Sequence, residues 1–353
     1  QRAGGAGLEE GGFLWKDETA TTPAWYGWDG PQLVTGWEAL KWTSSTVTDY
    51  AVRPHVIRLN SGRLLAVGIQ NKVAPLQLTI KRYDPASSAW STAATITLED
   101  PTEQKGPCLV QLPRGRVLLY VQTSGGDQVD SYYSDDDGST WALYAARVLP
   151  AALAVSTIRS LRAAYSSNEV CLVVRLQRTS PTKESFAQYA SSDLGARFES
   201  VIADWYASVV QEVGDLDLVA GRAGGFLLAY VRTDSGYSNH VRRIASGFDL
   251  LSDAVEIGSL GTPGSGLTHY PIAARRDEDG TVYLLADDQM GTANPQTALA
   301  WRSLDDGATW EQFEDSTALT LNAAAPTANR IYNYSAASVG GRVALLARWV
   351  AAS

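Results

Sequence analysis

Cysteine, methionine and histidine are scarce in this chain. Its 353 residues hold two Cys, one Met and three His. Cys108 and Cys171 each lie in an apolar, strand-like run, so two buried free thiols are favoured over a disulfide. The redox compartment stays open. His55, His240 and His269 lie far apart with no i,i+4 pair, which argues against zinc. No apolar run approaches the roughly 18–20 residues that span a bilayer. Basic runs are missing too: 29 Lys and Arg stand against 38 Asp and Glu, a net charge of −9. That balance argues against nucleic acid or an anionic membrane as the main partner. No phosphate loop, nucleotide fingerprint or Ser/His/Asp pattern is present, and no cofactor is expected. A continuous amphipathic helix is hard to find. Gln1, not Met, heads the chain; no leader is visible, and its earlier removal stays open.

What the chain does have is β-forming material. Hydrophobic residues make up 45%, with eleven Trp and 16 Tyr, which suits a β-rich protein with a large core. One phrase recurs: an apolar strand, a tight polar or Gly turn, and a second apolar strand. The inner hairpins fall near 53–69, 105–122, 157–176, 213–232, 268–287 and 331–350. Their turns centre near Gly62, Gly115, Asn168, Gly225, Gly280 and Gly341, so successive gaps are 53, 53, 57, 55 and 61 residues. Four strands per repeat of that length is the arithmetic of a β-propeller. The expectation is an all-β, six-bladed propeller of four-stranded antiparallel blades. The last unit stops at Ser353 after its inner hairpin, so its outer strands must come from elsewhere. Residues 32–45, rich in Trp and Val, are the expected donors within a propeller spanning 32–353. Residues 1–31 then form an N-terminal arm that packs on the ring or on a protein partner.

Aromatic residues close the turns between hairpins: Trp90, Trp141, Phe198, Phe248 and Trp310. Two of these turns share an eight-residue pattern. Ser134-x-Asp136-x-Gly138-x-Thr140-Trp141 recurs as Ser303-x-Asp305-x-Gly307-x-Thr309-Trp310. A weaker copy runs from Ser191 through Asp193 and Gly195 to Phe198. Short Ser and Asp side chains hydrogen-bond turn amides, and Gly supplies a positive φ. The crowded carboxylates after Ser134 also raise Ca²⁺, but the turn role already accounts for Asp136. This pattern resembles the Asp-box of the sialidase-like (BNR-repeat) propellers. The resemblance covers about residues 32–353 and marks a fold, not an activity.

The resemblance implies a site at the axis, where the inner strands begin. There, three Arg would clamp a substrate carboxylate, a Tyr assisted by a Glu would attack the anomeric carbon, and an Asp would serve as acid/base. Arg53, followed by Pro54, is similar to the family's first clamp Arg; a surface Arg paired with an Asp such as Asp49 is the plainer alternative. Glu212 before the fourth hairpin and Arg232 after it resemble the family's Glu and Arg, although Asp215 and Asp217 are rival carboxylates. Tyr334 resembles the nucleophile, and Tyr332 competes with it on the same strand face. Arg159 aligns with Arg53 by turn offset, and His269 and Tyr270 head the fifth hairpin as candidate lining.

The departures from the family weigh heavily. Residues 67–81 contain no Asp or Glu, where the acid/base is expected, and residues 290–301 contain no Arg before Trp301. Asp127 or Asp130 is a candidate stand-in. These gaps favour a non-catalytic propeller that binds glycans or builds an assembly, as a surface, secreted or virion protein. The alternative is a retaining exo-glycosidase of sialidase type acting on sialic acid or a related acidic sugar.

Overall fold

A computed structural model describes residues 13–16, 25–26, 52–69, 76–84, 87, 89–98, 106–122, 126–150, 156–178, 184–202, 213–222, 224–232, 237–245, 255–261, 272–276, 280–287, 298–312, 329–338 and 343–351. Twenty-four strands account for most of them. β1 (Phe13–Lys16) and β2 (Trp25–Tyr26) come first. The first repeat is β3 (Val52–Arg58), β4 (Leu64–Ile69), β5 (Leu76–Asp84) and β6 (Ala89–Leu98). The second is β7 (Cys108–Gln111), β8 (Val117–Gln122), β9 (Val129–Ser134) and β10 (Ala142–Ala145). The third is β11 (Ser156–Ser166), β12 (Glu169–Arg178), β13 (Glu184–Ser191) and β14 (Glu199–Ile202). The fourth is β15 (Val213–Ala220), β16 (Phe226–Arg232), β17 (Tyr237–Ile244) and β18 (Val255–Gly261). The fifth is β19 (Ile272–Arg276), β20 (Val282–Asp287), β21 (Ala298–Ser303) and β22 (Glu311–Gln312). β23 (Asn329–Ser338) and β24 (Val343–Ala351) end the chain.

Each repeat folds as its own four-stranded meander, in the order β3-β4-β5-β6 and its equivalents. The chain is a β-propeller. Five of its sheets are antiparallel throughout, so the expected antiparallel blade is present five times, not six. The remaining sheet is mixed: its order is β2-β1-β24-β23, and β1 runs parallel to β24 with Phe13 opposite Leu345. A strand entering from the N-terminus beside the last hairpin shields an edge that would otherwise lie open. Its source differs from the expectation. The strand next to β24 comes from within the segment read as an arm, while residues 32–45 lie outside the described residues.

Burial sets each strand's radial position. β4 and β8 are buried at every residue, whereas β6 is buried only at Leu98. Sheets buried on both faces read as continuous apolar runs, which is why Leu64–Ile69 and Val117–Gln122 show no alternation. The core is divided into layers between neighbouring sheets. Leu65, Val67 and Ile80 of the first sheet pack with Leu109 and Leu119 of the second. Tyr120 of the second packs with Leu172 and Tyr189 of the third, and Phe186 of the third with Leu228 and Tyr230 of the fourth. Cys108 and Cys171 are buried, unpaired thiols within these layers.

The Ser-x-Asp-x-Gly turns fasten three of the layers between sheets at one end. Ser134 Oγ donates to Asp136 Oδ1 at 2.8 Å and accepts the Gly138 N–H at 2.9 Å. Asp136 in turn accepts the Thr140 N–H and hydroxyl, at 2.8 and 2.7 Å. Ser303, Asp305, Gly307 and Thr309 repeat all four bonds. In the third copy Asp193 accepts from Ser191 Oγ and from the Ala196 and Arg197 amides. Trp141 and Trp310 each donate their indole N–H to the Gly carbonyl of their own turn. Phe198 packs edge-on to Tyr120, with ring centroids 5.6 Å apart.

The Gly position is where the neighbouring sheet presses in. Gly138 has φ +82°, and a Cβ there would lie 2.7 Å from Leu65 Cδ1 of the preceding sheet. At Gly195 a Cβ would collide with the Tyr120 hydroxyl, and at Gly307 it would crowd Leu227. Gly62 has a similar φ of +81° but open space around it. Ala at Gly62 therefore carries only the left-handed backbone cost, about 1 kcal/mol. Gly138→Ala adds a clash inside a close-packed layer and will cost at least twice that. Urea unfolding of the two variants checks this ranking.

The Asp305 turn supplies a second expectation. Hydrogen bonds from Thr309 and Ser303 hold its carboxyl at about 2. A lowered carboxyl pKa contributes stability above the unfolded value of about 3.9 and loses it as pH falls toward the folded value. Asp305→Ala should lower stability by about 1–2 kcal/mol at neutral pH through lost turn bonds. Its deficit relative to wild type should shrink between pH 4 and pH 2 in acid unfolding.

Candidate functional site

The six inner strands β3, β7, β11, β15, β19 and β23 run side by side around the axis. At one level a ring of side chains joins them. His55 Nδ1 accepts the N–H of Leu109 from the next sheet at 3.1 Å, and Cys108 Sγ accepts that of Ala163 at 3.1 Å. Asp217 Oδ2 accepts the Ala274 N–H at 3.0 Å, and Ser335 Oγ accepts the Val56 N–H at 2.9 Å. The other two joints use Arg. Arg162 Nε lies 3.4 Å from Asp217 Oδ1, linking the third sheet to the fourth. The fifth sheet has Ala273 at this register position, which offers no acceptor. Arg275 instead reaches back to Asp217 at 2.9 Å and forward to Ser335 Oγ at 3.5 Å.

In the sequence Asp217 stands out only as a rival carboxylate, and nothing marks the ring as a whole. Arg162 and Asp217 are 2% and 1% exposed, and charged groups are buried at that level only when paired. Their signal was a single charge inside an apolar strand, as in Leu216-Asp217-Leu218. The ring controls its own protonation. Burial, then the Arg162 and Arg275 charges, holds the His55 pKa well below the ordinary histidine value. His55 is therefore neutral. Since its Nδ1 accepts a backbone N–H, its proton sits on Nε2. Burial pushes the Cys108 thiol up to about 11, so it is an acceptor here and not a nucleophile.

The axis opens at two mouths of different character. The inner hairpin turns and the Ser-x-Asp-x-Gly turns share one face: Arg63 lies 3.7 Å from Asp137, and Arg276 pairs with Asp306. On this turn face the six inner strands enclose a cavity of about 280 Å3, floored by His55 and Arg275.

The other mouth is where the inner strands begin, and four of them shift register there. The shifts lie between Val52 and His55, Ile158 and Ser160, Val213 and Leu216, and Ile331 and Asn333. Bulges bend a strand and re-aim a side chain, and they favour rims and binding sites. Arg53, Arg159 and Tyr332 fall within these shifts, as does Asp215, which is 2% exposed. Tyr334 lies two residues further along β23, opposite Ala347, and Arg232 ends β16 at this same face, opposite Val213. The register thus brings Arg53, Arg159, Arg232, Tyr332 and Tyr334 to one mouth.

Glu212, His269 and Tyr270 lie outside the described residues, as do Phe248, residues 70–75 of the stretch where the acid/base is expected and residues 290–297 where the third Arg is expected. Asp130 accepts the Arg147 N–H at 2.8 Å and so has a turn to hold. Asp127 is half-buried in the loop from β8 to β9, beside Gly126, whose carbonyl accepts the Ile158 N–H at 2.7 Å. His240 stacks on Tyr230 and contacts Ser238 Oγ at 2.7 Å, a packing role. Among the described residues no group of His, Cys, Asp or Glu is arranged to hold a metal ion. Among them, too, no helix is long and apolar enough to cross a membrane.

Neither family models nor curated protein sequences match this chain. Solved structures do. A protein of unknown function from Dyadobacter fermentans aligns with a TM-score of 0.59 at 16% identity, over 84% of this chain and 91% of its own. An α-L-arabinofuranosidase from Fusarium graminearum gives 0.57 at 16% identity, over 85% and 92%. A Hadza microbial sialidase gives 0.58 at 14% identity, over 93% and 72%. At these identities the likeness establishes the propeller fold, and its neighbours include glycoside hydrolase propellers.

The ring makes stability depend on pH in a stated direction. The unfolded chain takes up a proton near the ordinary histidine pKa of about 6.5, and folded His55 does not. Its contribution is complete above that pH and is lost as pH falls below it. Urea melts at pH 8 and pH 5.5 should show a loss of about 1.4 kcal/mol from this one proton. His55→Asn, which keeps an acceptor for Leu109, should remove that part of the pH dependence.

Proposed function

We propose that this chain is a carbohydrate-active propeller, working as an exo-acting glycoside hydrolase at the mouth where its inner strands begin. The carrying observation is the set of register shifts at one level on four inner strands, with Arg53, Arg159 and Tyr332 inside them. An axial mouth where four inner strands leave regular pairing is suited to one terminal sugar, not to the middle of a polymer. Three guanidinium positions, Arg53, Arg159 and Arg232, favour an acidic sugar, because fixed forks match a carboxylate. The arabinofuranosidase and sialidase among the structural neighbours support a glycosidic substrate. On this reading the Ser-x-Asp-x-Gly turns are Asp-boxes that brace the opposite face.

The roles follow from chemistry. Tyr334 attacks the anomeric carbon, with Tyr332 the alternative, and a carboxylate must take the phenol proton because Tyr titrates near about 10. Glu212, adjoining β15, is placed for that task by sequence, and Asp215 is its rival. Asp127 is the described acid at this face that is free of a turn role, and it stands in for the leaving-group acid. His269 and Tyr270 would complete the lining. A non-catalytic glycan-binding propeller is the second reading, motivated by the absence of Asp and Glu from residues 67–81.

The test uses wild type and Tyr334→Phe with 4-methylumbelliferyl sialoside and 4-methylumbelliferyl arabinofuranoside. Turnover of one of them at about 1–10³ s⁻¹ is expected, with a loss of at least about 10²-fold in the variant. Arg159→Gln should raise KM more for the sialoside than for the arabinofuranoside. No turnover, with glycan-array binding that Arg53→Ala abolishes, would leave the second reading standing. No turnover and no glycan binding would sink both.

A further inference from the structure

The turn-face cavity lies across the ring from the mouth discussed above. Its floor brings two donors face to face. Leu109 donates to His55 Nδ1, so neutral His55 carries its proton on Nε2. That N–H faces Arg275 Nη2 at 3.4 Å, and a guanidinium nitrogen is also a donor. Two donors therefore converge with no acceptor between them. Nη2 donates only at long range, to Val56 O at 3.4 Å and to Ser335 Oγ at 3.5 Å, the latter also accepting the Val56 N–H, whereas His55 Nε2–H has no acceptor among the described residues. Both His55 and Arg275 line the cavity.

The rest of the lining narrows the ligand. No carboxylate lines the cavity, while Arg58 and Arg276 add positive charge at its rim, in a chain of net charge −9. The polar wall groups are engaged within the protein. Gln111 donates to Gly115 O and accepts from the Asn60 N–H, and the Tyr165 hydroxyl donates to Asn168. Arg276 spends its fork on Ala220 O, Gly280 O and Asp306. Ile57, Val110, Leu218 and Ala337 supply the remaining surface. A sugar would find few partners for its hydroxyls there, and an apolar body loses nothing.

We infer that this cavity is a second binding site, for a small organic carboxylate with an apolar body. The carboxylate accepts from His55 Nε2–H and Arg275 Nη2–H at the floor, and the body fills the apolar wall. At about 280 Å3 the cavity is at the small end of ligand pockets. Charge-assisted bonds to a neutral imidazole and a guanidinium are of the stronger kind.

Benzoate is the probe, with benzamide as its uncharged counterpart and glucuronate as an acidic sugar, each titrated calorimetrically into the full chain at pH 7.5. Benzoate should bind at least tenfold tighter than either. Ala220→Trp, at the half-buried end of β15, should block the cavity and abolish binding. His55→Asn keeps the acceptor for Leu109 but loses the Nε2–H donor, and should weaken benzoate about tenfold. Benzamide matching benzoate, or benzoate failing to bind, overturns the carboxylate site. Benzoate binding that neither substitution changes places it elsewhere and overturns the assignment. Glucuronate binding as tightly as benzoate overturns the apolar body. If Ala220→Trp does not fold, the benzoate-to-benzamide ratio and His55→Asn still decide.

Discussion

Closing a ring of separate sheets is the constraint on which the rest of this molecule depends. Each sheet makes its backbone hydrogen bonds internally, so nothing in the ladders themselves ties one sheet to the next. The axial ring supplies those ties. Four joints are a side-chain acceptor on a neighbour's N–H, from His55, Cys108, Asp217 and Ser335. Of the two remaining joints, Arg162 bridges one through Asp217 and Arg275 the other through Ser335, while Arg275 also pairs with Asp217. A buried carboxylate between two guanidiniums is a strong tie only while all its members are present, because removing one leaves a charge without compensation. Asp217 thus serves three sheets at once, through Ala274, Arg162 and Arg275.

The layers between sheets do the complementary work further out. They are apolar and close-packed, and each Ser-x-Asp-x-Gly turn abuts a side chain of the sheet before it. Leu65 lies under Gly138, Tyr120 under Gly195 and Leu227 under Gly307. The turn hydrogen bonds keep the loop tight enough for that approach. The turn face is therefore braced twice, at the axis and at the rim. The opposite face has neither device among the described residues, and there four inner strands leave regular pairing.

Fold and function separate cleanly here. Neighbours at 14–16% identity share the propeller, and the two with a named activity differ in the sugar named for them. A propeller hosts many chemistries, so the activity must be argued from side chains at a mouth. Arg53, Arg159 and Tyr332 earn that attention because register shifts set them apart, and the proposed hydrolase follows from their position.

The sequence by itself determined the repeat. Five antiparallel sheets follow from hairpins spaced 53–61 residues apart, since alternation, turn residues and apolar runs are local properties. It also determined the turn chemistry, because Ser134, Asp136 and Gly138 bond only to groups a few residues away. It put Arg53 and Arg159 near strand starts for the same local reason. Tertiary structure decided what distant residues do together. The strand beside β24 comes from Phe13–Lys16, more than 300 residues away, and local pattern carries no register over such a distance. The ring was equally hidden: His55, Arg162, Asp217 and Arg275 look like scattered charges until six strands place them at one level. The two donors that meet at the cavity floor belong to residues 220 positions apart. Their conflict exists only because the axis closes.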